Sequence, residues 1–334
     1  MARKKRHEPD EFALIARFFR PLAAGETGAF ALTDDAAVLD LPRGQRLVAT
    51  TDCLVEGVHF LEGASPEDIA PKLLRANLSD LAAMGAEPRW YLLAAAFARG
   101  TRAAWIGRFA RALHSEQRRF GVTLAGGDTV VTPGPASFTV TALGIVGKGA
   151  VLRRTGARVG DDVYVSGTVG DAALGLRVLK GELRVAARHA RFLVERYHRP
   201  NPRIALGRRL AGVARAAIDV SDGLVADLGH ICETSGVGAV IEAASLPLSP
   251  AARAALRTEP GLLADVLAGG DDYELVFTAP EAERPRIRAL ARALALSLTR
   301  IGRIAGAGGR AVRGRVRGAD GKPYPLPRTG WRHF

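Results

Sequence analysis

Aspartates recur at the ends of apolar segments in this chain. They are Asp34-Asp35, Asp52 after Val48-Ala49-Thr50-Thr51, Asp80 in Asn77-Leu78-Ser79-Asp80, Asp128 in Gly126-Gly127-Asp128-Thr129, Asp219 and Asp222 in Asp219-Val220-Ser221-Asp222-Gly223, and Asp271-Asp272. An ionised carboxylate beside an apolar run is costly to bury without compensation. Any one of them reads equally as a helix cap or turn former. Together they suit hard divalent cations, and Mg2+ above all, which take carboxylates, waters and substrate phosphates as ligands. Phosphoryl transfer asks a protein mainly for positioning and neutralisation of oxygens. Metal-bound aspartates supply both, whereas bare aspartates repel one another and ATP.

Glycine pairs precede two of these acids, at Gly126-Gly127 and Gly269-Gly270. They predict tight turns in which backbone amides approach phosphate oxygens, although ordinary turns carry the same tripeptide. The chain has no Walker-type glycine loop, no protein-kinase signature and no Gly-x-Ser-x-Gly nucleophile elbow. Gly167-Thr168-Val169-Gly170 reads as a phosphate turn or as a strand-to-helix connection. His59 fits a structural role or a contact to phosphate or polar substrate. Arg153-Arg154 offer guanidinium groups that pair with phosphate, or are solvated linker residues.

These residues need elements to position them. Residues 11 to 20 predict a short amphipathic helix with Phe12, Ile15, Phe18 and Phe19 on its apolar side. A strand over 47–51 leads into Asp52. Ser65, Pro66 and Asp68 open a helix carrying Ile69, Leu73, Leu74, Leu78 and Leu81 on one face and stopping at Gly85. A strand over 90–97, a helix over 101–120 capped at its start, and strands over 122–125 and 138–146 complete a first half that ends near Gly149. The second half offers strands over 163–166, 217–220, 273–278 and 298–304. Helices are expected over 171–179, 183–198, 224–233 and 280–296, with Pro200-Asn201-Pro202 ending one helix and permitting another. Glycines 306, 308 and 309 suggest a loop. The alternation predicts two α+β or mixed α/β domains rather than a solenoid.

Composition bounds the function. The 334 residues are 48% hydrophobic and 24% charged, which suits a globular two-domain chain. No run of about 18 apolar residues is present. The basic start, Met1 to His7, leads into no apolar signal core, so a cytoplasmic enzyme is expected rather than a secreted or membrane one. Cys53 and Cys232 form no metal set; two thiols in a reducing compartment is the reading, and a disulfide is the alternative. The net charge of +13 would attract nucleic acid, nucleotides and phosphorylated metabolites alike. No zinc-finger spacing or RNA-binding aromatic motif accompanies it, so no nucleic-acid partner is expected. The arginine excess reads as solvated surface and the Arg3-Lys4-Lys5-Arg6 tail as a frayed terminus.

Five stretches carry a family resemblance. They are Thr51-Asp52-Cys53-Leu54-Val55-Glu56-Gly57-Val58-His59-Phe60, the run from Asn77-Leu78-Ser79-Asp80 to Ala86-Glu87-Pro88, Gly126-Gly127-Asp128-Thr129, Ile218-Asp219-Val220-Ser221-Asp222-Gly223-Leu224, and Gly269-Gly270-Asp271-Asp272-Tyr273-Glu274-Leu275. In this order they resemble the thiamine-monophosphate kinases, within the superfamily that includes aminoimidazole ribonucleotide synthetase and selenophosphate synthetase. The resemblance runs from Gly25-Glu26 to the end.

It implies a two-domain aminoimidazole-ribonucleotide-synthetase-like fold of the α+β class and a homodimer whose N-terminal sheets form a barrel. Residues 1–150 would bind ATP and metal and dimerise; residues 151–334 would complete the active-site cleft. The implied reaction is transfer of the γ-phosphoryl group of ATP to thiamine monophosphate, assisted by Mg2+. Another ATP-using member of the superfamily, acting on a ribonucleotide, is the alternative. The implied metal set is Asp35, Thr50, Thr51, Asp52, Asp80, Asp128, Asp219 and Asp222, of which Asp35, Asp52, Asp128 and Asp222 would be catalytic. Gly127, Asp128, Arg154 and Ser221 would contact the nucleotide, and His59 and Asp271 the substrate. The chain departs from the family pattern at Thr33, where glycine is usual, at Asp271, where glutamate is usual, and at Arg328, where an aromatic is expected with Trp331 nearby.

Overall fold

The computed structural model describes residues 11–306, 314–318 and 320–331. The basic tail at residues 3–6 and the glycines at 308 and 309 lie outside the described residues. Contacts divide the chain into two units, Met1–Asn77 with Pro88–Ile145, and Leu78–Glu87 with Val146–Phe334. Both mix helix and sheet, the class the alternation predicts.

In the first unit, alternating apolar positions build four strands, β1 (Gln45–Val55), β2 (Glu87–Ala98), β3 (Thr123–Thr132) and β4 (Ser137–Gly147), in the order β1-β4-β2-β3. Helix α1 spans Glu11–Leu14, α2 spans Pro66–Ala83 and α3 spans Ala103–Phe120. The expected apolar stripe of α2 is real, because Ile69, Leu73, Leu74, Leu78 and Leu81 are all buried. At its start the Ser65 hydroxyl donates to the Asp68 carboxylate at 2.8 Å. At its end Gly85 takes φ +72°, and the Ala86 amide donates back to the Leu81 carbonyl at 2.8 Å, a glycine stop. Helix α3 buries Ile106, Phe109, Ala110 and Leu113, one helical face. Phe109 stacks on Phe138 of β4 with ring centroids 4.8 Å apart.

Three local expectations need correction. Residues 11–20 do not form one helix: α1 is a single turn, followed by a wider π-type turn over Ile15–Phe19 and a 3-10 turn over Arg20–Ala23. Pro21 has no N–H to continue an α ladder, and Phe12 is 74% exposed rather than packed. Thr101 does not cap α3; its hydroxyl donates to the Ala98 carbonyl at 2.7 Å, and the helix begins at Ala103. Strands β1 and β3 do not stop at their aspartates but run through them to Val55 and Thr132.

The second unit holds a six-stranded sheet of β5 (Asp162–Ser166), β6 (Ala216–Asp219), β7 (Gly238–Glu242), β8 (Leu275–Ala279), β9 (Leu298–Ala305) and β10 (Gly314–Arg317), ordered β10-β7-β9-β5-β8-β6. Only β10 with β7 is parallel; the other neighbours are antiparallel. Seven helices accompany it among the described residues: α4 (Asp171–Leu179), α5 (Ala187–His198), α6 (Ile204–Leu210), α7 (Leu224–Ser235), α8 (Pro250–Thr258), α9 (Leu263–Ala268) and α10 (Arg284–Ala293). Both sheet faces are covered. Val163, Val165, Ile218 and Val276 face one apolar cluster, and Tyr164, Ala217, Leu275 and Phe277 face the other. That is the period-two alternation of a strand buried on both sides. Cys53 and Cys232 are free thiols, and no helix among the described residues is long and apolar enough to cross a membrane.

Buried polar and acidic side chains brace both units. In the first, Arg75 of α2 grips Glu116 of α3 through two hydrogen bonds, 2.6 and 2.9 Å long, and its guanidinium lies 5.4 Å from the Phe120 ring centre. In the second, Asp272 and Glu274 precede β8 and are almost wholly buried. Asp272 accepts the amides of Gly170 and Ala172 at the start of α4. Glu274 accepts from Ser166, Arg196 and Arg203. Burial pushes the Asp272 carboxyl up to about 8, against the pull of these amides and of Arg196.

Replacing Glu116 by Ala leaves Arg75 charged and buried without its partner. It should cost about 3–5 kcal/mol in urea unfolding, and a loss under about 1 kcal/mol would contradict this. Asp272 yields a pH test. Its folded pKa stands above the unfolded value, so the stability it lends is complete at acid pH. That stability is lost as pH rises through about 8, by at most about 1.4 kcal/mol per pH unit. Asp272→Asn should flatten the fall in unfolding free energy between about pH 5 and pH 8; an unchanged slope would show that other groups set it.

Candidate functional site

In the first unit the chain reaches Asp34 and Asp35 through a 3-10 turn over Thr27–Leu32. Phe30, Ala31 and Leu32 all have positive φ, between 47° and 57°, an unfavourable conformation for side-chain-bearing residues. The Arg20 guanidinium donates to the Ala31 carbonyl at 3.0 Å and holds the turn from outside. Thr33 itself has an ordinary φ of −111°, and its hydroxyl donates to the Phe30 carbonyl at 2.7 Å. A side chain at this position therefore costs the loop nothing.

Asp34 and Asp35 line a cavity of about 480 Å³ together with Gly126, Gly127, Asp128 and Thr129. The glycines are not in a turn. They lie inside β3, paired in parallel with Leu92 and Leu93 of β2, just beyond a bulge at Ala125. A Cβ on Gly127 would sit 1.9 Å from the Leu93 carbonyl oxygen, and its φ is +156°. Close approach of two strands demands this glycine. One Asp128 oxygen accepts the Thr129 amide at 2.8 Å.

Thr50, Thr51 and Asp52 stand on β1 and do not line that cavity. The Thr51 hydroxyl faces β4, 3.2 Å from the Val140 carbonyl and 3.1 Å from the Thr141 hydroxyl. The Asp52 amide donates to the Asn77 side chain at 3.0 Å. His59 folds back on β1: its Nδ1 accepts the Val55 amide at 3.0 Å and its own amide donates to the Val55 carbonyl at 2.9 Å. An accepting Nδ1 puts the ring proton on Nε2. The buried Lys72 ammonium donates to the His59 carbonyl at 3.0 Å.

In the second unit Asp219 ends β6, almost wholly buried, and accepts the Ser79 hydroxyl at 2.7 Å. Asp80 is the next residue, in the last turns of α2. Ser221, Asp222 and Gly223 form the turn from β6 into α7. Their three amides all donate to one oxygen of Asp227, at 3.1, 3.1 and 3.0 Å. Burial raises the Asp227 carboxyl well above its ordinary value, and the charges of Asp219 and Asp222 push the same way, while the turn amides oppose them. Ligand atoms of Asp222, Asp227 and His230 lie within 4.8 Å of one another.

Asp271 comes to the same turn. Its amide donates to the Ser221 carbonyl at 2.9 Å, and the Tyr273 amide to the Val220 carbonyl at 2.8 Å. Gly270 permits this approach, since a Cβ there would lie 2.0 Å from the Ser221 carbonyl oxygen. Asp271 and Tyr273 both take positive φ, 68° and 51°. The Tyr273 hydroxyl donates to the Asp271 carboxylate at 3.4 Å. Burial, and then the Asp271 charge, raise the nearby Tyr197 hydroxyl well above its usual range.

The structure thus gathers Asp34, Asp35, Gly127 and Asp128 in the first unit, and Asp219, Ser221, Asp222 and Asp271 in the second. The Arg154 carbonyl accepts the Thr234 hydroxyl near the C-terminal end of α7, about 15 Å along that helix from Leu224. Sequence reasoning missed Asp227, Arg196 and Arg203. The spacing Ser221-Asp222-Gly223 to Asp227, an acid one turn into a helix, was the available signal for the first. The two arginines carried none.

Residues 33–146 match the family described as AIR synthase related protein, N-terminal domain, and residues 158–315 its C-terminal domain. The thiamine-monophosphate kinase of Escherichia coli (strain K12) is 42% identical over 326 residues, covering 97% of this chain and 98% of that one. That of Bacillus subtilis (strain 168) is 34% identical, covering 88% and 90%. A crystal structure of thiamine-monophosphate kinase from Stenotrophomonas maltophilia K279a superposes with a TM-score of 0.81 at 43% identity, over 94% of this chain and 98% of that one. AaThiL complexed with AMPPCP and TMP superposes at 0.76 with 31% identity, over 97% of each chain. The chain belongs to the thiamine-monophosphate kinase family.

Proposed function

We propose that the protein phosphorylates thiamine monophosphate to thiamine diphosphate by direct transfer of the γ-phosphoryl group of ATP. The observation that carries this reading is the match along 97% of the chain to a structure complexed with AMPPCP and TMP. The acceptor is already a phosphate, so no protein nucleophile is required. The protein's work is to bring two anionic groups into line.

The donor set fits Mg2+. The carboxylates of Asp35, Asp52, Asp80, Asp128, Asp219 and Asp222, with oxygens of Thr50 and Thr51, offer hard oxygen ligands only. When bound, Mg2+ neutralises phosphate oxygens as the two groups approach. Gly127, Asp128, Arg154 and Ser221 belong on the nucleotide side of this reading. His59 belongs on the substrate side, with Nε2–H as its donor. Asp271 is its anionic counterpart there, suited to a cationic thiazolium ring, and one methylene shorter than the glutamate usual in the family. Residues 1–150 serve as the ATP, metal and dimerisation domain, and residues 151–334 as its partner in the cleft.

A homodimer is part of the proposal. Strands β1 and β3 are the outer strands of their sheet, and Leu47 of β1, Leu92 of β2, and Val130 and Val131 of β3 are exposed. A second copy of the chain would cover an open edge and exposed apolar side chains of these strands. The cytoplasm, which supplies ATP, is the proposed location.

The direct test is an initial-rate assay with ATP, Mg2+ and a substrate panel. Thiamine monophosphate should be turned over, free thiamine should not, and a chelator should abolish the rate. Preference for free thiamine or for an aminoimidazole ribonucleotide precursor would overturn the assignment. Asp128→Asn should lower kcat by about 100-fold or more, while its urea unfolding curve stays within about 1 kcal/mol of wild type. A near-wild-type rate in the folded variant would remove Asp128 from the metal set.

A further inference from the structure

The turn Ser221–Gly223 has two faces. All three amides point inward to a single Asp227 oxygen, at 3.1, 3.1 and 3.0 Å. Two of its carbonyls point the other way. The Ser221 carbonyl accepts the Asp271 amide at 2.9 Å, and the Asp222 carbonyl accepts the Trp331 amide at 3.0 Å. The remaining carbonyl, of Gly223, accepts the Asp227 amide at 3.0 Å and closes the first turn of α7. Asp227 is 2% exposed, and Gly223 cannot be replaced freely, since a Cβ there would lie 2.8 Å from the Ala268 carbonyl carbon.

Consecutive amides pointing into one concavity ordinarily form a nest for an external anion. Here the protein's own carboxylate fills the nest. The turn therefore has no amides of residues 221–223 to give a phosphate. It offers a ligand the side chains of Ser221 and Asp222, and it offers the 269–274 segment a carbonyl to hang on. Rotation of any of these peptide planes would break a bond to Asp227 and move Asp222, Asp271 or Trp331 with it.

We propose that Asp227 is the positioning residue of this site: its one buried oxygen sets the orientation of Asp222 on the metal side and, through the Ser221 carbonyl, of Asp271 on the substrate side. The proposal rests on the kinase reading for the roles of those two residues. It differs from direct ligation. Asp227 is close enough to Asp222 and His230 to share a cation, but its Oδ2 already serves three amides, the geometry of a scaffold.

Two variants of the full chain test it. Asp227→Asn keeps one acceptor oxygen in place and makes the other atom an amide NH2; Asp227→Ala removes the acceptor. Initial rates are measured against Mg2+ and against thiamine monophosphate, with thermal unfolding as the control. In Asp227→Asn, the Mg2+ half-saturation point and the KM for thiamine monophosphate should both rise by about 3- to 10-fold, because a neutral acceptor bonds about half as strongly. In Asp227→Ala, if it folds, both should rise further, by about 30-fold; if it does not fold, Asp227→Asn decides.

A lower melting temperature with both constants unchanged in Asp227→Asn would reduce Asp227 to a stability residue. A shift in the Mg2+ constant alone would make it a ligand. Either outcome overturns the proposal. Calorimetric binding of AMPPCP with Mg2+ separates this from failure of the kinase reading. Should wild type bind AMPPCP yet leave thiamine monophosphate untouched, the kinase reading fails. Asp227 is then judged on AMPPCP affinity: about a 5-fold loss in Asp227→Asn supports its positioning of Asp222, and an unchanged affinity refutes it.

Discussion

A carboxylate can stay inside a protein only where donors meet its oxygens. The second unit is organised by that constraint. Asp219, Asp227, Asp272 and Glu274 are buried, and each is met: Asp219 by a hydroxyl, Asp227 by three amides, Asp272 by two amides, Glu274 by two guanidinium groups and a hydroxyl. The donors come from different elements. Asp272 joins the segment before β8 to the start of α4. Glu274 joins β8 to β5, α5 and the stretch leading into α6. Removing the buried acids would therefore loosen connections between elements.

The same constraint explains the strain between Gly269 and Leu275. Asp272 and Glu274 turn inward and are fixed. Asp271 and Tyr273 alternate with them and take positive φ. Such conformations cost about 1–3 kcal/mol each and persist only where the surroundings over-determine them. The amides of Asp271 and Tyr273 donate to the backbone beyond β6, and the Glu274 carbonyl accepts the Val220 amide. The result holds the Asp271 carboxylate on a rigid support rather than on a mobile loop. In the first unit, strain at Phe30 to Leu32 delivers Asp34 and Asp35 to the cavity that Asp128 lines, again from a backbone held by outside bonds.

Long periodic segments were legible in the sequence. The α2 stripe, the Gly85 stop, β2, β4, β5, α7 and β9 follow from period and punctuation. Short or non-local features were not. Strand β7 has five residues and β10 four, and their pairing is with each other and with β9, far along the chain. Helix α8 carried a readable start, since Ser249 caps it and Pro250 follows, but its alanine-rich face has little contrast. The glycine pairs were read for the wrong reason. Gly127 and Gly270 are needed because another backbone passes within van der Waals distance, a fact no local spacing encodes. Asp227, Arg196 and Arg203, which brace the turn and Glu274, act through partners tens of residues away or around a turn.

The charge distribution adds a last step. The chain carries +13 overall, yet the residues assigned to chemistry are almost all acidic. Much of the arginine is engaged in ion pairs, with Arg284 on Asp162, Arg215 on Asp161, and Arg196 and Arg203 on Glu274. Exposed pairs such as Arg108 with Glu67 add little to stability. The excess positive charge still acts at a distance, where it draws anionic nucleotides and phosphorylated substrates toward the protein within a Debye length of about 10 Å. Close to the acids the sign reverses. On the proposed reaction, long-range attraction brings the substrates in, and only cations bound among the aspartates let them stay. A basic protein with an acidic site is then a consistent design for joining two anions, because neither charge alone would do both.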